Sequence, residues 1–175
     1  MFKSNLGFIK KKFGTNGLRR VSEKIREKGF DFNMENIKDR EWYPMEVRVA
    51  FIEAVYDLLD SNDDDMFSLG KYSALHVERL ALLVRYTKET SLVASEGPKT
   101  WDKHFDVGRL DVIENSKGRT VVRLLDFNIS PVHCNYLAGY FVGAAELSGA
   151  KDVKIEETKC ISRGDPYHEF VLTWG

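Results

Sequence analysis

The sequence predicts an α+β domain in which helices pack on a largely antiparallel sheet. Helical periodicity dominates the first half of the chain, and two pairs of β-type runs, separated by one more helix, follow the Gly97-Pro98 step. The length of 175 residues, with 43% apolar and 30% charged side chains, suits an ordinary globular domain.

Three helices are expected in the first half of the chain. Residues 16–28 repeat Leu, Val and Ile at helical spacing and end at Gly29, a residue type favoured just beyond a helix C-terminus. Residues 45–60 are strongly amphipathic, and residues 67–89 carry a long leucine-rich stripe. The acidic segment 61–65 predicts a polar loop at which the chain reverses.

The second half is expected to contain two hairpins separated by a helix. Asn115-Ser-Lys-Gly118 has the composition of a hairpin turn, and Ser130-Pro131 has that of a helix start. The expected elements are strands at 108–114 and 120–127, a helix at 132–148, and a second pair of strands around the turn 163–166.

Positive charge is concentrated in residues 1–40, which hold eleven Lys or Arg against five Asp or Glu, whereas the remainder is acidic. Because these cations alternate with acids at helical pair spacing, we expect the arm to dock on its own molecule or on a partner subunit. The predicted organisation is an N-terminal helical extension at 1–40, which forms a homodimer, and a ligand-binding domain at 41–175. Nucleic-acid binding by the basic arm is the less favoured alternative.

The start of the chain and its cysteine content predict a cytoplasmic protein. No apolar run approaches the ~18 residues that span a bilayer, and the lysine-rich start does not resemble a secretory signal. Two cysteines, 26 positions apart, are too few for a disulfide framework, so reduced thiols are expected.

Four side chains in the last third of the chain predict a metal site. If the last turn centres on Gly164, Cys160 lies opposite His168, and opposed residues of a hairpin share a face about 5 Å apart. Glu157 lies three positions before Cys160 and would face the other side of a regular strand, so its participation predicts a bulge. Cys134 falls in the first turn of the preceding helix, where the helix dipole favours a thiolate.

Two thiolates, one carboxylate and one neutral imidazole would fill a tetrahedron, which is the arrangement of a closed, structural zinc site. The alternatives are buried core cysteines without a metal, and His133 as a competing ligand, although an exposed position at the helix start is expected for His133. Cys134 as a nucleophile, with His133 or His104 as its base, is disfavoured because adjacent residues on a helix do not face each other.

Residues 105–174 resemble the 4-vinyl reductase domain, a small-molecule-binding family that includes the sensor domains of phenol- and xylene-responsive activators. The family pattern ends in Glu, two residues, Cys, seven residues and Cys, and this chain has Glu157, Cys160 and His168 at those positions. Histidine in place of the second cysteine departs from the pattern but is also a zinc ligand. Cys134 lies where the aromatic sensors have a further zinc-binding cysteine.

The resemblance implies a ligand-binding fold shared with haem-based nitric-oxide sensors and with subunits of Golgi transport tethers. It also implies a Zn²⁺ cofactor at Cys134, Glu157, Cys160 and His168, and a hydrophobic or aromatic ligand between the sheet and the helices. The pocket residues expected from it lie near the metal segment: Trp101, His104, Phe105, Tyr136, Tyr140 and Phe141.

The sequence contains few motifs that indicate catalysis. The chain has no glycine-rich phosphate loop, no Gly-x-Ser-x-Gly elbow and no His-Glu-x-x-His helix. The predicted function is therefore binding or sensing of a small hydrophobic or aromatic molecule, with the signal passing to a separate effector protein. The alternatives are an enzyme or accessory protein in tetrapyrrole or aromatic metabolism, and a protein-assembly module.

Overall fold

The computed structural model describes residues 2–31, 34, 37, 43–77 and 90–175. In chain order the elements of this part are α1 Phe2–Glu27, α2 Met45–Leu58, α3 Asp63–Leu75, α4 Thr90–His104, β1 Arg109–Ser116, β2 Arg119–Leu125, α5 Val132–Leu147, β3 Lys154–Lys159, a 3₁₀ turn Ile161–Arg163 and β4 His168–Thr173. The predicted succession of helices, hairpin, helix and hairpin is confirmed.

Two helices begin earlier than predicted. Helix α1 starts at Phe2 rather than at residue 16, and it bends at Gly14, whose φ of 65° lies in the left-handed region that glycine tolerates. The acidic segment predicted as a loop opens α3 instead. Asn62 caps that helix, because its side chain accepts a hydrogen bond from the backbone N–H of Asp65 at 2.9 Å. Carboxylates in a first turn also complement the helix dipole.

The four strands form one antiparallel sheet in the order β1-β2-β4-β3, so the two hairpins meet along their inner strands β2 and β4. On the face packed against the helices, Val122 lies opposite Phe170 and Leu124 lies opposite His168. The Phe170 ring meets Phe141 of α5 edge to face, with ring centroids 5.3 Å apart. The predicted class, helices on an antiparallel sheet, is confirmed.

The basic N-terminal helix docks on its own chain. Val21 and Ile25, from the predicted apolar stripe, are fully buried. On the polar side, Lys24 pairs with Asp57 at 3.0 Å, and Lys12 and Lys28 pair with acids of α3 and α2, Asp65 and Glu53. The stripe that motivated a homodimer is thus covered within the chain, and the homodimer stays a prediction without that support. The boundary predicted at residue 40 lies outside the described residues.

Across the described ranges, the longest helices are too short or too polar to cross a bilayer.

Helices α3 and α5 touch backbone to backbone. A Cβ atom added at Gly70 would overlap the carbonyl oxygen of Tyr136, and one added at Gly139 would overlap that of Phe67. At Gly143 the added atom would lie 2.7 Å from the carbonyl oxygen of Lys71. The small-residue face of α5, which the sequence predicts to pack closely on a sheet or a partner subunit, is therefore the contact surface for α3.

We expect Gly139→Ala to destabilise the protein by about 3 kcal/mol, because overpacking a close backbone contact forces the two helices apart. Denaturant unfolding would measure the change. Gly97→Ala is the matched control: its new methyl group would lie 3.5 Å from Leu110, an ordinary contact, and it gains helix propensity of about 1 kcal/mol. A Gly139→Ala variant as stable as the Gly97→Ala variant would contradict the contact.

Candidate functional site

The structure brings together the four side chains predicted to bind a metal. Cys134 Sγ lies 3.6 Å from Cys160 Sγ and 3.7 Å from Nδ1 of His168. Oε1 of Glu157 lies 3.1 Å from the same Nδ1. One potential ligand atom from each residue lies within 4.8 Å of the other three. These separations match the edges of a tetrahedron, since two sulfurs bound to one ion at about 2.3 Å are about 3.8 Å apart.

A bulge in β3 makes this convergence possible. Glu157 pairs with Phe170. Lys159, two positions further on, pairs with Glu169, only one position back, so β3 contains one extra residue. In a regular strand, residues three positions apart point to opposite faces, and the extra residue returns Cys160 to the face of Glu157. The predicted irregularity is confirmed.

Hydrogen bonds around the cluster orient its members. Nε2 of His168 donates to the backbone carbonyl of Phe127 at 3.1 Å, which leaves Nδ1 facing the sulfurs and the carboxylate. Arg163 donates from its two terminal nitrogens to Oε2 and to the backbone carbonyl of Glu157, at 3.2 and 3.0 Å. The Asp165 side chain accepts from the backbone N–H of Cys160 at 2.9 Å, and this bond closes the turn.

The electrostatics of the cluster favour a protonated Cys134 when no cation is bound. Burial raises the pKa of Cys134, and the neighbouring Glu157 and Cys160 raise it further. Burial alone would raise the pKa of Glu157, but hydrogen bonds from His168 and the two thiols, together with the charge of Arg163, lower it. The expectation that the helix dipole makes Cys134 a thiolate is wrong for this state, because burial outweighs the dipole.

A separate apolar cavity of about 120 Å³ lies between the sheet, α4 and α5. Its walls are built mainly from aliphatic and aromatic side chains of those elements, among them Val93, Ala94, Leu110, Val122, Phe141 and Leu172. Among the described lining residues, the side chains that carry a polar group are Thr100, Thr120 and Tyr140, with hydroxyls, and Trp174, with an indole N–H. Burial raises the pKa of Tyr140, so this hydroxyl is a neutral hydrogen-bonding group.

The predicted pocket residues divide into two groups. Tyr140 and Phe141 line the cavity. Trp101 and Phe105 stack on each other with centroids 4.2 Å apart, and the Trp101 indole N–H donates to the carbonyl oxygens of Val107 and Gly108. Tyr136 is buried in the core and is not among the described lining residues of the cavity. The His104 side chain lies outside the described part of the chain.

Two buried polar side chains were missed by the sequence analysis. Arg48 of α2 is 6% exposed and His133 of α5 is 3% exposed, so the expectation of an exposed His133 is wrong. The burial of Arg48 could have been predicted, because Arg48 lies on the same helical stripe as the apolar residues Phe51 and Val55. No equivalent signal marks His133, whose burial follows from the packing of α5 on the neighbouring helices.

No family model and no curated protein matches the chain. Solved structures of H-NOX domains do match it over nearly its whole length. An H-NOX protein from Shewanella oneidensis, in its Fe(II)NO state, has a TM-score of 0.72 at 14% identity and covers 99% of this chain and 97% of its own. Another, an unliganded Fe(II) mutant of an H-NOX protein from K. algicida, has a TM-score of 0.69 at 14% identity and covers 99% of this chain and 94% of its own.

A third match is an oxygen-binding H-NOX domain described as related to soluble guanylate cyclases, with a TM-score of 0.67 at 10% identity and coverages of 98% and 92%. At these identities the similarity establishes the fold. It agrees with the predicted relationship to nitric-oxide sensor folds, whereas a relationship to Golgi transport tethers stays a prediction.

Two predictions are corrected by these comparisons. The chain is not assigned to the 4-vinyl reductase family, because no family model matches it and the similar structures are H-NOX domains. The prediction of a zinc cofactor is also wrong. Its main support was the family resemblance, and the similar structures are described as iron or haem proteins.

We expect Cys134 to be alkylated by iodoacetamide at least about tenfold more slowly in the folded, chelator-treated protein than in guanidinium, because the thiolate is the reactive form and burial raises the pKa. Mass spectrometry of the Cys134 peptide over time measures the rate. Equal rates in the two solvents would show that the thiol is accessible and has an ordinary pKa.

Proposed function

We propose that the protein binds and senses a small apolar molecule in the cavity between the sheet, α4 and α5. The observation that carries the proposal is the cavity itself, which lies at the contact of the sheet with α4 and α5. Ligand sites of this kind are concave and mostly apolar, with a few polar groups that orient the ligand. The hydroxyls of Thr100, Thr120 and Tyr140 supply those groups.

The size of the cavity narrows the ligand class. A volume of about 120 Å³ is close to the roughly 150 Å³ of an engineered apolar cavity that binds benzene. A monocyclic aromatic or a short hydrocarbon therefore suits this space. The walls offer hydroxyl groups but no charged side chain among the described residues, so the part of the ligand in the cavity is uncharged.

Haem does not fit the described cavity. The H-NOX structures are haem proteins, and haem iron takes its axial ligand from His, Cys, Met or Tyr. Among the described lining residues only Tyr140 is of these types, and burial raises its pKa, which opposes the phenolate that binds iron. A cavity of about 120 Å³ is also far smaller than the roughly 300–1,000 Å³ typical of pockets for larger ligands.

We further propose that Cys134, Glu157, Cys160 and His168 bind one thiolate-preferring transition-metal ion. With Nε2 donating to the Phe127 carbonyl, Nδ1 of His168 faces the cluster and lies 3.1 Å from Oε1 of Glu157. A cation bound between the imidazole, the carboxylate and the two sulfurs would be coordinated by all four groups and would favour the thiolate form of the cysteines. The ion would tie the start of α5 to the last hairpin, and four protein ligands leave no coordination position for a substrate.

The remaining predictions of the sequence are kept as part of this proposal. A separate effector protein would receive the signal, and residues 1–40 would act as a helical unit beside the ligand-binding domain. An enzyme of tetrapyrrole or aromatic metabolism is the alternative, and turnover of a bound ligand would distinguish it.

We expect Ala94→Leu to weaken toluene binding at least about tenfold, because the larger side chain fills the cavity. Ser95→Leu is the matched control, since it introduces the same side chain at the next position of α4, which is exposed. Isothermal titration calorimetry with toluene measures both affinities. Equal loss in both variants, or a Soret absorption band from one haem per chain after haem addition, would contradict the assignment of the cavity.

We expect Co²⁺ to bind the chelator-treated protein at one ion per chain and to give a sulfur-to-cobalt charge-transfer band with tetrahedral visible bands. Cys134→Ser, Cys160→Ser and His168→Asn should lose or shift these bands, because each removes one ligand. His76→Asn, at an exposed histidine that follows the last residue of α3, is the matched control. Cobalt bands that persist unchanged in the cysteine variants would show that these cysteines do not bind the ion. Elemental analysis of the untreated protein would identify the natural ion.

A further inference from the structure

The apolar cavity exists because small residues face one another across it. Helix α4 contributes Ala94 and Gly97 to its walls, and helix α5 contributes Ala144 and Ala145. Larger side chains at these positions would fill the space, as side chains do in an ordinary protein interior. The chain therefore keeps a void where closer packing is sterically simple, and the polar groups that border this void can select its ligand.

The polar side chains in the cavity walls differ in the partners that they already have. Thr120 donates its hydroxyl proton to Oδ1 of Asn115 at 3.3 Å. Thr100 is exposed, so water can satisfy its hydroxyl. Trp174 is half-buried in the segment that follows β4, and its indole N–H makes no hydrogen bond to another described residue. The fourth polar side chain, Tyr140, has neither an open exposure to water nor a protein partner.

The hydroxyl of Tyr140 borders the cavity and makes no hydrogen bond within the described part of the chain. Burial is the first cause that raises its pKa, so the hydroxyl lies away from bulk water. The residue is nevertheless only half-buried overall, and its oxygen is not one of the fully enclosed polar atoms that lack a partner. These observations agree if the accessible surface of Tyr140 faces the internal space of the cavity rather than the outside of the molecule.

Packing holds the Tyr140 ring in place. The ring meets that of Phe141 edge to face, with centroids 6.5 Å apart, and Phe141 in turn meets Phe170 of the sheet. At the preceding position, Gly139 touches the backbone of Phe67, which fixes this turn of α5. A donor held in this way is preorganised, so a ligand can bind it with little cost for ordering a side chain.

A carbonyl oxygen is the ligand group that complements these donors. A phenolic hydroxyl can donate a proton and an indole N–H can only donate, so both groups without a protein partner are satisfied by an acceptor. The remaining walls are mainly aliphatic and aromatic, and an ionised acceptor would lose its hydration there without a charge to pair with. An uncharged acceptor on an apolar body therefore suits the cavity better than a carboxylate or a phosphate.

We propose that the cavity binds a small, uncharged carbonyl compound whose oxygen accepts a hydrogen bond from the Tyr140 hydroxyl. The inference rests on the proposed function for the apolar site, and it adds the chemical group that the ligand carries. The body of the compound would contact the aliphatic and aromatic walls, while its oxygen would give Tyr140 the partner that the protein does not supply. A hydrocarbon of the same shape would enclose that hydroxyl without a partner.

The test compares cyclohexanone with methylenecyclohexane, which has the same ring and carries C=CH₂ in place of C=O. Because the two compounds differ in their transfer from water, the quantity to compare between proteins is the ratio of their affinities, measured by calorimetry. Tyr140→Phe should lower the relative affinity for cyclohexanone about tenfold, as expected when an enclosed carbonyl loses its donor. The infrared C=O band of bound cyclohexanone should lie at a lower wavenumber in the wild-type protein than in Tyr140→Phe, because a hydrogen bond weakens the carbonyl bond.

Tyr136→Phe is the matched control for the loss of a hydroxyl from the same helix. The Tyr136 hydroxyl donates to Oδ1 of Asn5 at 3.2 Å, and Tyr136 is not among the described lining residues of the cavity. This variant should therefore keep the wild-type ratio of affinities. Tyr140→Phe should melt close to the wild-type temperature, because its hydroxyl has no protein partner to lose.

The possible results separate this inference from the function on which it rests. A ratio that is the same in the wild-type and Tyr140→Phe proteins would overturn the carbonyl contact, and the apolar cavity would still stand if Ala94→Leu weakened the binding of both compounds. A ratio that falls in Trp174→Phe but not in Tyr140→Phe would assign the oxygen to the indole N–H and overturn the role of Tyr140. If neither compound bound the wild-type protein, the cavity would not be a ligand site and both proposals would fail.

Discussion

The backbone contact between α3 and α5 constrains every site in this protein. The carbonyl oxygens of Phe67 and Tyr136 occupy space that a side chain at Gly139 or Gly70 would need, so the two helices meet at a fixed height and rotation. Helix α5 in turn carries Cys134 of the four-residue cluster, the buried His133, and Tyr140 of the cavity. Because packed interiors deform little, fixing α5 fixes all three positions relative to one another.

The other determinant is a single extra residue in β3. It returns Cys160 to the face of the sheet that Glu157 occupies, and it does so where β3 pairs with the strand that begins at His168. Register errors of one residue move every side chain to the opposite face, and here the bulge uses that property locally to collect ligands that a regular hairpin would separate. Asp165 closes the same turn by accepting the Cys160 N–H, so the loop holds the thiol in position.

Local patterns in the sequence predicted most of the elements and the four-residue cluster, because periodicity, turn chemistry and hairpin register act over short distances. Helix α4 was not predicted, since Pro98, a residue type that usually ends or kinks a helix, lies inside it. The bulge was predicted from the alternation of side chains along a strand, because Glu157 and Cys160 share a face only if one extra residue lies between them. Features that depend on distant packing were not predictable: the burial of His133 arises from the neighbouring helices, and the 61–65 segment became a helix start because Asn62 could cap it. The prediction of zinc was wrong for a different reason. Ligand type and geometry restrict a metal to those that accept thiolate and imidazole, and the choice among them came from a family resemblance that the comparisons do not support.

The four-residue cluster and the cavity differ in the contacts that they offer. Sγ of Cys134 lies 3.6 Å from Sγ of Cys160 and 3.7 Å from Nδ1 of His168, so the polar members of the cluster face one another. None of the four is among the described residues that line the cavity, whose walls are mainly aliphatic and aromatic. Walls of this kind select a ligand by its shape and apolar area, whereas a few polar groups fix its orientation. The fold therefore separates its most polar cluster from its most apolar space, and a ligand in the cavity would be recognised without contact with the thiols.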